Sequence, residues 1–349
     1  MKKWAVLRFV LSAFLCFSII LYNGFDLVKP SVKTTQKTAQ KSNILLTNEV
    51  MKTENIKTEK KEDKKENTLS TPQKTEEEAV KTSADAIKGK IISQYISPYK
   101  TSPSYNNVYL KNSTNLNINL KELLSSNLSF KIKKNSGAQV LIIHTHTTET
   151  FMTENTDYFT ENFKSRTTDN SKNMVSIGNI IAEKLNNAGI KTIHDKTKHD
   201  YPNYTGSYSR AAKTITSHLN KNPEIKVVLD LHRDAVTRDN GDKVKLVTEI
   251  NGKKAAQVMI VMGSQSGSVT NFPKWKENLK LAVKLQQILE VKYPTLARPL
   301  SLTSKNYNES LTTGSMLIEF GTDANTLEEA KYSAELVSNA LVELFNSLE

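Results

Sequence analysis

Gln139-Val140-Leu141-Ile142-Ile143, directly after the short Gly137-Ala138 step, is the stretch on which the fold turns. An uninterrupted apolar run of this length fits a strand buried on both faces, where no side chain meets water. Downstream, residues 173–188 follow helical spacing, with Val175, Gly178, Ile181, Ala182 and Leu185 on one side and Gly189 in the place of a C-terminal cap. Ile190-Lys191-Thr192-Ile193 reads as a second strand, and residues 207–220 as a second helix through Ala211, Ile215 and Leu219. Residues 225–231 read as a third strand. Residues 245–250 and 257–261 are expected to form a hairpin turned by Asn251-Gly252. A long helix over 273–292, a strand over 298–302, the run Ser315-Met316-Leu317-Ile318-Glu319-Phe320 and a capping box from Thr326 to Glu329 complete the pattern. This alternation predicts an α/β domain with a mostly parallel sheet and helices on both faces.

Upstream the texture differs. The 349-residue chain carries a formal charge of +12, and no aromatic residue stands between Phe25 and Tyr95. Clusters such as Lys60-Lys61-Glu62-Asp63-Lys64-Lys65-Glu66 cannot bury enough apolar surface to offset the entropy of ordering them. Residues 28–94 therefore read as a disordered tether with an average reach of roughly 40–50 Å. Its lysines alternate with acids and lack interleaved aromatics, which speaks against nucleic-acid binding. Residues 4–22 are apolar apart from Arg8, Ser12 and Ser18, and follow Lys2 and Lys3. That composition predicts a transmembrane signal-anchor over 1–27, with the rest outside the cytoplasm. The single cysteine, Cys16, falls inside it, which excludes a disulfide scaffold. Residues 95–135 read either as a partner-binding extension or as more tether, and 136–349 as the catalytic domain.

Three expected strands end in acid-base or metal-binding side chains, where sites form in open α/β sheets. They are Ile143-His144-Thr145-His146-Thr147-Thr148-Glu149, Asp230-Leu231-His232-Arg233-Asp234 and Leu317-Ile318-Glu319-Phe320-Gly321. Polar groups at the ends of buried strands are costly unless paired. A catalytic zinc site takes three ligands from His, Asp and Glu and keeps one position open. His146, Glu149 and His232 can supply them, and Glu319 can take a proton from water and give it to a leaving amine. The implied reaction is amide hydrolysis. His144 either replaces His146 as ligand or orients a neighbour. Each group also has a structural reading, the histidines as hydrogen-bonded strand ends and Glu319 as an ion-pair partner of Arg210 or Arg233.

At these residues, and at Asn173-Met174-Val175-Ser176-Ile177-Gly178, Tyr208-Ser209-Arg210 and Tyr307-Asn308, the sequence resembles the stage II sporulation protein P (SpoIIP) family of endospore-forming bacteria. The resemblance implies a membrane-anchored, zinc-dependent peptidoglycan hydrolase acting in engulfment. Its implied activities are N-acetylmuramoyl-L-alanine amidase and cross-link endopeptidase, with the domain on the mother-cell membrane facing the intermembrane space. The implied partners are a SpoIID-like lytic transglycosylase and a SpoIIM-like membrane protein. Carried over, His146 and His232 are ligands of one Zn2+ and Glu319 is the catalytic carboxylate. The wider zinc amidase group takes a ligand glutamate from the start of its first helix. Here Asn170-Ser171-Lys172-Asn173 stands there instead. Glu149 is therefore chosen as third ligand, in the manner of zinc carboxypeptidases. Arg210 and Arg233, with Asn308, are candidates for holding a substrate carboxylate or supporting the site. A wall-peptide carboxypeptidase and a non-catalytic wall- or partner-binding scaffold are the alternative functions.

Overall fold

The computed structural model describes residues 86–349, so the expected anchor and most of the expected tether lie outside the described residues. Among the described residues no helix is long and apolar enough to cross a membrane. In chain order the elements are β1 (Ile87–Gln94), β2 (Ser104–Tyr105), β3 (Val108–Asn112), α1 (Leu120–Ser125), β4 (Val140–Ile143) and β5 (Tyr158–Thr160). Then follow α2 (Met174–Asn187), β6 (Thr192–His194), α3 (Ser207–Lys221), β7 (Val227–Asp234), β8 (Lys243–Ile250) and β9 (Lys253–Ala256). The chain ends with β10 (Val258–Gly263), α4 (Trp275–Lys292), β11 (Leu300–Thr303), β12 (Ser315–Thr322) and α5 (Leu327–Asn346).

The class is α/β, built on an eight-stranded sheet of order β2-β3-β11-β10-β12-β7-β4-β6. Five of its seven strand pairings are parallel, but the sheet is mixed, which the expectation of a mostly parallel sheet did not detail. β10 runs antiparallel to β12, β2 runs antiparallel to β3, and a second, four-stranded sheet of order β5-β1-β8-β9 is mixed as well. The reversal at β10 corrects the expected hairpin. Asn251 (φ 51°) and Gly252 (φ 74°) do turn a hairpin, but β8 pairs there with Lys253–Ala256, and the apolar run after Gln257 crosses into the main sheet. A second correction concerns the N-terminal boundary. β1, placed in the tether by composition, is held by ladders to β5 and β8, and Ile91 is its one fully buried side chain. Backbone pairing of that kind leaves little trace in hydropathy. Residues 95–135 are folded too: β3 extends the main sheet beside β11, and Val108, Leu110, Leu120 and Ile132 enter the core.

The two faces of the sheet are segregated by strand alternation. Val227, Leu229 and Leu231 of β7 share the main core with α2, α4 and α5, whereas Val228 packs with Ala211 and Ile215 of α3 on the other face. Each such buried aliphatic side chain contributes roughly 1.5–3 kcal/mol. α2 starts where the Asn173 side chain accepts from Val175 N, and α5 where Thr326 and Glu329 form the expected capping box. Asp230 and His232 are in phase with Val228. They therefore face α3, and the site is built on that side of the sheet.

Candidate active site

The loop leaving β4 is fixed by its own threonines. Thr145 donates from its backbone N (2.8 Å) and hydroxyl (2.6 Å) to the Asp230 carboxylate, and Thr147 donates to the carbonyls of His144 and Thr197. Thr148 donates its hydroxyl to Asp200 at 2.6 Å, and Arg166 closes on the same carboxylate at 2.8 Å. So tethered, His146 and Glu149 are turned toward β7. The rings of His146 and His232 stand edge to face, 5.3 Å between centroids, and His232 Nδ1 lies 3.6 Å from Glu149 Oε2. Glu319 is the register partner of His232 on the adjacent parallel strand, so the two side chains share one face. Beyond Glu319 the ladder slips, with Gly321 left-handed (φ 63°). A Cβ at Gly321 would meet Asn325 Oδ1 at 2.5 Å, so the kink that ends the strand behind the carboxylate needs glycine.

The charges are strongly conditioned. Burial lowers the His146 pKa to about 4, partly offset by Glu149, so its imidazole is neutral and has a free lone pair at neutral pH. Burial would do the same to His232, but the carboxylates of Asp230 and Glu149 on either side outweigh it and raise its pKa, so a metal bound there would have to displace a proton. For Glu149 burial is outweighed in turn by His232 and the Arg233 charge, and its pKa is depressed. Burial, and next the charge of Asp234, raise Glu319 to about 8, with His232 pulling the other way.

Two donors bound to one tetrahedral zinc at about 2.0–2.2 Å lie about 3.3–3.5 Å apart. The 3.6 Å between His232 Nδ1 and Glu149 Oε2 is close to that spacing. His232 Nε2 approaches Asp230 Oδ1 at 2.9 Å, yet without hydrogen-bond alignment, and Glu319 Oε2 is buried with no hydrogen-bond partner among the described residues. The contacts of His146 are long, 3.3 Å from Nε2 to Tyr204 Oη and 3.4 Å from Nδ1 to Ser207 Oγ. Among the described residues no three His, Cys, Asp or Glu side chains are already closed around one metal position. His146, Glu149 and His232 are donor types that zinc takes, and the His232–Glu149 spacing is compatible with a shared ion, while His146 stands outside that pair.

The remaining candidates have other roles. His144 faces the opposite side of the sheet and does not join the cluster. Its Nδ1 donates to the Leu231 carbonyl (3.1 Å), which assigns Nε2 as acceptor from His194 Nε2–H at 2.8 Å. Burial lowers these two imidazoles to about 4 and about 3, so both are neutral. Arg210 was a candidate for holding a substrate carboxylate. Instead its donors go to the carbonyls of His199, Thr205 and Asn203, which ties down the strap ahead of α3. Arg233 is likewise spent on the carbonyls of Thr150, Ser165 and Asp234. Neither is available to a ligand. Asn308, left-handed at φ 61°, donates to the Tyr208 carbonyl at 2.9 Å and props the start of α3. Sequence reasoning assigned no role to Asp230, although it stands two residues before His232 and so on the same strand face. It also missed the tyrosine wall: Tyr204 stacks on His146 (4.6 Å, 8°), and Tyr208 meets it edge-on (5.6 Å). Tyr204 comes from the loop before α3 and Tyr208 from its first turn, and although Tyr208 lies in a stretch that carries the resemblance, spacing alone does not show that either ring packs on His146.

Stage II sporulation protein P of Bacillus subtilis (strain 168) is 29% identical over 219 residues, covering 59% of this chain. The match spans about half of that relative, 51% of its length. Among solved structures, N-acetylmuramoyl-L-alanine amidase AmiC2 of Nostoc punctiforme is 12% identical with a TM-score of 0.36, covering 61% of this chain and 97% of its own. The CwlD amidase from Clostridioides difficile, solved in complex with the GerS lipoprotein, is 11% identical with a TM-score of 0.36, covering 60% and 98%. The sequence model of the stage II sporulation protein P (SpoIIP) family matches residues 21–342, and the chain belongs to that family.

Proposed function

We propose that this protein is a zinc-dependent peptidoglycan hydrolase of sporulation that cleaves the N-acetylmuramoyl-L-alanine amide bond and peptide cross-links. The observation that carries the reading is the convergence of His146, Glu149 and His232 beside Glu319, from three neighbouring strand ends, in a chain of this family. His146, His232 and Glu149 would hold the ion, with Asp230 behind His232 fixing its ring. Zinc bound there would supply Lewis acidity toward the amide carbonyl and the attacking water. Glu319 accepts the water proton and delivers it to the leaving nitrogen, a task suited to a carboxylate whose pKa is raised toward neutrality. Because Arg210 and Arg233 are locked onto backbone carbonyls, neither expected clamp for a free peptide terminus is left. That favours internal amide bonds over carboxypeptidase trimming. The remainder of the proposal follows the family resemblance: an N-terminal membrane anchor, an extracytoplasmic domain, and cooperation with a SpoIID-like transglycosylase and a SpoIIM-like membrane protein during engulfment.

Incubating the purified protein with wall sacculi, with and without a chelator, tests this. Soluble stem peptides bearing new L-alanine amino termini should appear only when zinc is present. Intact sacculi under both conditions, with no zinc retained by the protein, would refute it.

A further inference from the structure

Tyr208 is the second residue of α3, and the start of that helix is unusual. Its N-cap is Gly206, left-handed at φ 84°, with no side-chain cap. The first turn is instead committed to the site. Ser207 Oγ reaches His146 Nδ1 at 3.4 Å, and the Tyr208 ring meets the His146 ring at 90° and 5.6 Å. From the other wall, Tyr307 lies 6.1 Å from the Tyr208 ring, and Asn308 grips the Tyr208 carbonyl at 2.9 Å. The phenol is thus held on both sides, yet its hydroxyl makes no hydrogen bond to a described residue. Burial, and next the negative charge of Asp230, raise the pKa of this phenol. It is a fixed donor without a protein acceptor, within electrostatic reach of the proton-carrying carboxylate.

Amide hydrolysis needs such a donor. When the water oxygen bonds to the carbonyl carbon, the carbonyl π pair moves onto oxygen, and the resulting anion must be stabilised. The electron pair then returns to re-form C=O as the C–N bond breaks, and the nitrogen leaves with the proton carried by Glu319. Among the side chains lining the site, Arg210 and Arg233 are fully engaged elsewhere, and His146 and His232 are committed as ligands. We propose that Tyr208 donates its hydroxyl hydrogen to the scissile carbonyl oxygen and holds the negative charge that develops there. The inference rests on the hydrolase reading.

The zinc-loaded full chain is assayed on a muramoyl dipeptide, and calorimetry measures its affinity for the tetrahedral phosphinate isostere of that substrate. Tyr208→Phe should lower kcat by about 100-fold with KM nearly unchanged, the usual loss for one oxyanion donor. Phosphinate affinity should fall by a similar factor while zinc content stays equal to wild type. A purely structural tyrosine would not separate phosphinate from substrate binding. If wild type is active and Tyr208→Phe retains both kcat and phosphinate affinity, the role of Tyr208 is overturned and the hydrolase reading stands. A wild type that neither cleaves the substrate nor binds the phosphinate overturns both.

Discussion

Glu319→Gln separates what this carboxylate costs the fold from what it does. In the folded chain its pKa is raised from an ordinary 4.5 to about 8. The folded state therefore keeps a proton that the unfolded chain has released throughout that interval. Stability from this group is complete below pH 4.5 and is lost as pH rises toward 8. At about 1.4 kcal/mol per decade the ceiling is about 5 kcal/mol. Glu319 is partly exposed and its neighbours relax, so about 2–3 kcal/mol is the expected size after screening. Glutamine keeps the shape and does not titrate. Metal-stripped wild type and Glu319→Gln should therefore unfold at similar urea concentrations near pH 5 and diverge by pH 8, the variant being the more stable. Buried Trp275 at the start of α4 offers a fluorescence probe. The same substitution should abolish hydrolysis. Parallel stability curves across pH 5–8 would refute the argument that burial keeps this carboxyl protonated.

Three other outcomes are expected. With Glu319 as proton acceptor, kcat/KM should rise with pH as the carboxyl ionises near 8 and level off above it; a flat profile from pH 6 to 9 would exclude it as the base. Asp230→Asn should weaken zinc binding by about 10–100-fold in a chelator competition, because it removes the carboxylate behind His232; unchanged affinity would show that Asp230 only ties down Thr145. Gly178→Ala should destabilise α2 by about 1–3 kcal/mol despite a helix-propensity gain of about 1 kcal/mol, since the new methyl would lie 2.5 Å from His194 Nε2. His194→Ala in the same chain should restore only part of that loss in a thermal melt, because the methyl would still lie 2.8 Å from His144 Nε2.

The strands that carry chemistry were legible because burial on both faces leaves an unmistakable apolar run, as at Val140–Ile143, and a polar residue straight after it stands out. The helices were equally plain, down to the Thr326–Glu329 capping box. What escaped has a physical cause in each case. β1 is held by backbone ladders, which any sequence can form, so its lysines read as tether. The destination of β10 is decided by β12 and β11, far away in sequence, and the Asn251-Gly252 turn gives no hint of it. His144 and His146 both follow the last residue of β4, where strand alternation no longer dictates direction, and only coordinates show that the chain turns them to opposite sides and that His144 is matched by His194. Arg210 and Arg233 looked like ligand clamps because sequence does not show where a guanidinium finds its carbonyls.

The two halves of the site stand on supports of unequal stiffness. His232 and Glu319 project from β7 and β12, each hydrogen-bonded along both edges inside the sheet. His146 rides on the loop after β4, set largely by side-chain contacts to Asp230 and Asp200, and Glu149 is held there by a short backbone bridge to Arg166. Any travel needed to grip an ion is therefore borne by the loop, while the proton-handling carboxylate keeps its aim. Evolution can retune how tightly the cation is held by editing polar residues around 166 and 200, leaving the reactive pair on its paired strands untouched.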